Sequence, residues 1–404
     1  MGIMGLKSMK ALFFLSWRVG VCALAIASAG VAEAAEVPLS PAIPVRRTDV
    51  SFQHELQRAI DKGVAWLEKN QDPAGFWSTV DHPAVTALAL TAYRSNPGLV
   101  RGTEEPEWVR RGYGFLLKNV QPDGGIYAKG LMNYNTSLAM MALVTANKPQ
   151  YDAALRRARA FVVRGQTDVE VKAGVDNPFA GGVGYGDKSK NSDLSNTLVA
   201  LEALYYTRHL IKDTAAAETK DLNWAAAIKF LEQCQNLPGT NRQPWASADP
   251  QNKGGFVYDP GASKAGEVTL PNGRVALRSY GSMSYAGLLS YIYADLKPTD
   301  PRVVAVLEWL RDNYTLEENP GMGAQGYFYY LKLMTKALMA CQVDTLELKD
   351  GRKVDWRREV AMKLLNRQQQ DGSWLNDNAR WWEKDLALVT SYAVMTLSMI
   401  HRGL

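Results

Sequence analysis

From residue 52 onward, apolar residues recur at helical spacing, and that recurrence is itself repeated six times. Each repeat joins two segments. In the first, at 60–67, 109–117, 155–163, 224–235, 303–314 and 356–370, apolar positions three and four apart alternate with charged ones. The second, at 84–93, 134–146, 194–206, 280–294, 327–340 and 386–400, is apolar on almost every side and rich in Ala, Leu and Val. A helix that is apolar all round is normally buried, whereas one with a charged face meets water. The pattern therefore predicts six helical hairpins, with the second helices inside and the first outside.

Between the two helices of each hairpin lies a glycine turn, marked by Gly75, Gly125, Gly182, Gly255, Gly326 and Gly372. These stand about 46 to 73 residues apart, the scale of a helix–turn–helix repeat with variable loops. A glutamine commonly precedes the turn and an aromatic follows it, as in Gln71-Asp72-Pro73-Ala74-Gly75-Phe76-Trp77 and Gln370-Asp371-Gly372-Ser373-Trp374. The amide and the ring are suited to tying one helix end to the next hairpin. The inner segments also carry small residues three apart, at Thr86/Ala89, Thr136/Ala139, Thr197/Ala200, Ser284/Gly287 and Thr390/Ala393. Such pairs share a helix face and allow close packing.

An open stack of hairpins would need polar end repeats to cover its apolar ends. None is visible, so the expected fold is all-α and closed, an (α/α)6 toroid spanning 52–404; an open superhelix is the alternative. Residues 1–34 read as an export signal: Lys7, Lys10 and Arg18 precede an apolar run over 19–31 and the small-x-small site Ala32-Glu33-Ala34. Residues 35–51, with Pro38, Pro41 and Pro44, read as a linker. The expected location is periplasmic or secreted, with a retained N-terminal membrane anchor as the alternative.

Charge adds little. The net +5 is spread along the chain among acids and bases, which excludes a basic nucleic-acid surface. Beyond the signal only Cys234 and Cys341 remain, and the four histidines are scattered, so no metal-ligand cluster and no cofactor motif is present. Two buried thiols are expected rather than a disulfide.

The Gln-x-x-x-Gly-x-Trp turns resemble the repeat motif of squalene–hopene and oxidosqualene cyclases, and Gln121-Pro122-Asp123-Gly124-Gly125-Ile126-Tyr127 resembles that of protein prenyltransferase β-subunits. The resemblance implies a toroid with an apolar central cavity for an isoprenoid-like small molecule, with peripheral membrane contact, and it identifies no protein partner. It also exposes departures. The cyclase acid motif Asp-x-Asp-Asp is matched by Asp193-Leu194-Ser195-Asn196, with Ser195 in the proton donor's place. Where a prenyltransferase would hold a cysteine zinc ligand, the stretch at 280–287 has serine.

The sequence leaves turnover of a substrate open. Asp193, Asp385 and Tyr285 are the candidate catalytic groups, and Asp193 and Asp385 are also well placed to be helix N-caps. Tyr134, Tyr280, Tyr327, Tyr329, Trp381 and Trp382 are the candidate cavity lining; the tyrosines would otherwise pack between helices with their hydroxyls bonded. Two other functions suit the same architecture: a carbohydrate-active lyase or hydrolase of the envelope, and a non-catalytic scaffold.

Overall fold

The computed structural model describes residues 49–100, 102–167, 177–186, 191–212 and 221–404. The expected export signal and nearly all of the linker lie outside the described residues. Thirteen α-helices are described: α1 (Val50–Lys69), α2 (Pro83–Ser95), α3 (Glu107–Lys118), α4 (Met132–Ala146), α5 (Asp152–Arg164), α6 (Leu194–Tyr206), the single turn α7 (His209–Lys212), α8 (Trp224–Cys234), α9 (Gly281–Tyr293), α10 (Pro301–Asp312), α11 (Tyr327–Ala340), α12 (Trp356–Leu365) and α13 (Leu386–Arg402). Two small antiparallel hairpins decorate the loops. One pairs β1 (Glu267–Thr269) with β2 (Val275–Leu277), and Val268 stands opposite Ala276; the other pairs β3 (Leu346–Glu347) with β4 (Lys353–Val354).

The fold is the expected toroid. Helices α2, α4, α6, α9, α11 and α13 pack each against the next, and α13 packs back on α2, so the inner ring is closed. The outer helices lie in the grooves between them, with α1 seated on both α13 and α2. Burial follows the sequence pattern. Seven of the twenty residues of α1 are buried, along a stripe from Phe52 to Leu67, whereas twelve of the thirteen in α9 are. No described helix is long and apolar enough to cross a membrane. Cys234 and Cys341 are both free, and Cys234 is fully buried.

One set of contacts repeats around the ring. The Gln71 amide donates to the Gly75 carbonyl at 3.1 Å and to the Trp108 carbonyl at the start of α3 at 2.8 Å. Gln166 does the same for Gly181 and Asn223, and Gln235 for Gly254 and Arg302. In the last repeat Gln368, rather than the expected Gln370, donates to Gly372 at 3.0 Å and to Ala59 of α1 at 2.9 Å. The inner-helix hydroxyls of Thr86, Thr136, Thr197, Ser284 and Thr390 accept backbone N–H groups of the preceding turns at 2.9 to 3.3 Å. These residues are thus turn anchors as well as small packing positions.

The glycines close the same joints. In the second, third and fourth hairpins the turn glycine is one residue earlier than the sequence reading placed it, at Gly124, Gly181 and Gly254, each with φ near +90°. The reason is contact: a Cβ there would stand 2.1 to 2.6 Å from a backbone carbonyl of the next outer helix. Gly372, at φ +95°, presses in this way on Lys62 of α1, so the sixth turn is docked on the first helix. Gly326 departs from the pattern; it is the left-handed N-cap of α11 and touches no outer helix backbone.

Substituting Gly372 with Ala should therefore destabilise the protein by about 3 kcal/mol, combining left-handed strain with overpacking. The same change at Gly102, also at positive φ but with nothing within 4 Å, should cost only about 1 kcal/mol. Urea unfolding of the two variants checks the difference; equal losses would show that ring docking does not depend on this joint.

Candidate functional site

All six inner helices contribute residues from their N-terminal ends, or from the turns leading into them, to one central cavity of about 520 Å³. Its wall is mainly hydrocarbon and aromatic: Val85 and Leu88 of α2, Met283 of α9, Leu388 of α13, and the rings of Tyr134, Tyr185, Tyr258, Tyr280, Tyr329 and Tyr392. Trp381 and Trp382 stand at its rim, 40% and 48% exposed. A wall of this kind, broken by a few hydroxyls, fits a small apolar molecule, and the volume lies in the ligand-site range of about 300–1,000 Å³.

The rim has an unusual backbone. Trp381 and Trp382 have φ of +59° and +65°, two consecutive bulky residues in the left-handed region. Such a conformation persists only where neighbours impose it. Here Glu383, fully buried, accepts the backbone N–H groups of Phe328 and Tyr329 at 3.2 and 2.8 Å and so caps α11. Asn376 donates to Glu383 and to the Ala324 carbonyl. The loop is thereby riveted to the head of α11, and the Trp382 ring meets the His82 ring at 4.9 Å, edge on. Burial raises the Glu383 carboxyl and lowers the His82 imidazole.

Asp193 is the N-cap of α6. Its carboxylate accepts the Asn196 backbone N–H at 2.9 Å and the Asn196 amide at 2.8 Å. It stands just behind the wall, while Ser195, two residues on, faces the cavity. The Tyr258 hydroxyl bonds to Asp193 and lies 3.2 Å from the Tyr185 hydroxyl, so a hydrogen-bonded chain runs from the buried acid to the cavity surface. Burial outweighs these bonds and raises Asp193 from 3.8 to about 6, and nearby Asp259, itself raised by burial, adds to the effect.

The other sequence candidates fall in different places. Tyr134, Tyr280, Tyr329, Trp381 and Trp382 line the cavity. Tyr327 instead donates its hydroxyl to the Leu316 carbonyl at 2.6 Å, and Tyr285 is buried in the ring wall against Tyr330. Asp385 caps α13 through Leu388 N–H at 2.9 Å and does not line the cavity. Tyr185 and Tyr258 were visible only as the aromatics after the third and fourth glycine turns. Glu383 gave no local signal, because the groups it caps lie more than fifty residues earlier in the chain. No group of three or more metal-ligating side chains occurs among the described residues.

No protein-family profile matches the sequence, and no curated protein matches it either. In structure the chain is similar to a variant type II terpene cyclase from Scytonema in complex with its substrate geranylgeranyl dihydroxybenzoate, at TM-score 0.52 and 12% identity over 88% of this chain and 100% of the other. It is similar to an inactive variant of an α-1,6-mannanase of Salegentibacter in complex with α-1,6-mannotriose, at 0.50 and 12% over 85% and 99%. It is also similar to Candida albicans protein geranylgeranyltransferase-I complexed with GGPP, at 0.50 and 14% over 84% and 90%. The chain thus shares an α/α toroid fold with these proteins. At these identities the likeness is one of fold.

The raised Asp193 carboxyl ties stability to pH. The folded chain holds this proton more tightly than the unfolded chain, so its stabilisation is complete below 3.8 and is lost as pH rises through about 6. Between pH 8 and pH 4 the group should add about 2 kcal/mol. Denaturant unfolding at both pH values should show this gain shrinking in Asp193→Asn; an unchanged pH dependence in the variant would contradict the assignment.

Proposed function

We propose that the toroid binds an isoprenoid, or another apolar molecule of similar size, in its central cavity. The observation that carries this reading is the convergence of all six inner-helix heads on one half-open cavity walled by Tyr, Trp, Leu, Met and Val. The likeness to a terpene cyclase holding a geranylgeranyl compound and to a prenyltransferase holding GGPP supports it. A sugar would want more carboxylates and amides on the wall than this one offers, which weighs against the carbohydrate reading despite the likeness to a mannanase.

Asp193, Tyr258 and Tyr185 then serve as a proton relay between the buried carboxyl and the bound molecule. A carboxyl near 6 is a weak acid. It suits proton exchange with an oxygen lone pair, as in an epoxide or carbonyl, and does not suit protonation of a plain alkene. Trp381 and Trp382 guard the mouth, and their rings offer π-faces to a bound molecule. Residues 1–34 carry the chain out of the cytoplasm; the support for this is the basic start, the apolar run and the small-x-small site.

Native mass spectrometry of protein purified from its own cells should reveal a lipid adduct, and polyprenyl alcohols should raise the melting temperature. Protein that carries no lipid and is not stabilised would overturn the reading. Incubation with a terminal-epoxide polyprene should give product that Asp193→Asn and Tyr258→Phe lose, whereas the parent alkene should stay unchanged. Turnover of the alkene would sink the relay. N-terminal sequencing of the mature protein should begin near residue 35; an intact Met1 would refute cleavage.

A further inference from the structure

The lumen of the inner ring carries a charge that the apolar cavity does not account for. Lys332 and Lys336 lie on the axial side of α11, three and seven residues beyond the cavity-lining Tyr329. Lys336 is paired with Glu202 of α6. Lys332 has neither an ion pair nor a hydrogen bond among the described residues. Its ammonium is held against the aromatic floor instead, 4.8 Å from the centre of the Tyr392 ring and 5.8 Å from that of Tyr329.

Both of those tyrosines line the cavity, and side chains on a helix lean toward its N-terminus, which here is the cavity end. The ammonium therefore lies behind the Tyr329 and Tyr392 rings, next to the cavity lining rather than part of it. Burial lowers it to about 8, so it is still mostly protonated at neutral pH. Glu202 also acts on the half-buried Lys332 but is already paired with Lys336. The three groups therefore leave one net positive charge inside the ring, which is costly, and the faces of two tyrosines offset that cost only in part.

We propose that the cavity takes an apolar chain ending in a single carboxylate, with its tail among the rim tryptophans and its head at the Tyr329–Tyr392 floor, where Lys332 supplies the counter-charge. The charge count sets the class. With Glu202 committed to Lys336, the cluster of Lys332, Lys336 and Glu202 carries one surplus positive charge, which matches one carboxylate and falls short of a diphosphate. The hydroxyls of Tyr134 and Ser195, which also line the cavity, add polar partners for the head. This inference rests on the cavity being an apolar-ligand site.

Quenching of the protein's tryptophan fluorescence at pH 7 by geranylgeranoic acid, geranylgeraniol and geranylgeranyl diphosphate tests it. The acid should bind about tenfold more tightly than the alcohol, as expected for one charge-assisted contact, and more tightly than the diphosphate. Lys332→Met should erase the preference for the acid while leaving the alcohol's affinity within about twofold, which also reports that the variant is folded. Lys332→Arg should keep the preference; if the Met variant does not fold, Lys332→Gln takes its place. Equal binding of acid and alcohol to the natural protein, a preference that survives in the Met variant, or tighter binding of the diphosphate would overturn the carboxylate assignment while leaving the apolar site standing. Binding of none of the three would remove the apolar site itself, and this inference with it.

Discussion

Everything in this molecule depends on α1 docking against α13 and the turn before it. Twelve helices of ordinary length, each seated on its neighbours, would otherwise make an open stack with one bare apolar end. Closure is built from short-range chemistry between residues some three hundred positions apart. The Trp66 indole donates to Asp371 at 3.0 Å and the Gln368 amide to the Ala59 carbonyl at 2.9 Å. Gly63 lets α1 approach so closely that a Cβ there would meet Val394 at 2.6 Å and Trp374 at 2.9 Å. The same joint is used between most consecutive hairpins, so the last contact is one more copy of a contact the chain already makes. That identity is why the ring closes without a special clasp.

Closure also decides where chemistry can occur. Because every inner helix runs the same way, all six heads meet at one end of the axis. Each brings unpaired backbone N–H groups and the positive end of its dipole. Three of these heads are capped by acids: Asp193 on α6, Asp385 on α13 and, from a distant loop, Glu383 on α11. Elsewhere amides serve, as where Asn135 of α4 accepts the Ala84 N–H of α2 at 3.0 Å and Asn319 accepts the Ser282 N–H of α9 at 2.9 Å. With the heads satisfied by protein groups, the remaining surface can be hydrocarbon and ring. The apolar cavity is thus a consequence of thorough capping.

The repeat architecture was legible because it rests on local, repeated signals. The difference in polarity between inner and outer helices, the glutamine before most turns and the hydroxyl in five of the six inner helices all survive in one dimension. Register was less legible: where two glycines adjoin, as at Gly124-Gly125 or Gly254-Gly255, only the carbonyl of the next helix decides which one takes the left-handed φ. The cavity lining was partly legible, since tyrosines at the inner-helix heads point inward by position. Tyr285 and Tyr327 share that composition, yet their rings fall between helices; Tyr327 stands two residues, about 200° of helical rotation, from the cavity-lining Tyr329. The Glu383 cap, the Tyr185–Tyr258 pair and the surplus Lys332 depend on neighbours that only the closed ring brings together.

The groups around the cavity also limit the chemistry that this toroid can host. An acid able to protonate an alkene must be stronger than an ordinary carboxyl. Asp193 is weaker, because burial costs its charged form more than its hydrogen bonds return. Ser195, which faces the cavity where the resemblance would place the proton donor, is a far poorer acid still. Below the floor, Lys332 puts positive charge against Tyr329 and Tyr392, two of the rings that would otherwise steady a carbocation. A carbocation held over them would meet a like charge from behind. The aromatic wall is the kind that terpenoid chemistry uses, but the ammonium behind two of its rings has the opposite sense. On the proposed reading, that ammonium would favour a ligand that brings its own negative charge or oxygen lone pair to the base of the ring.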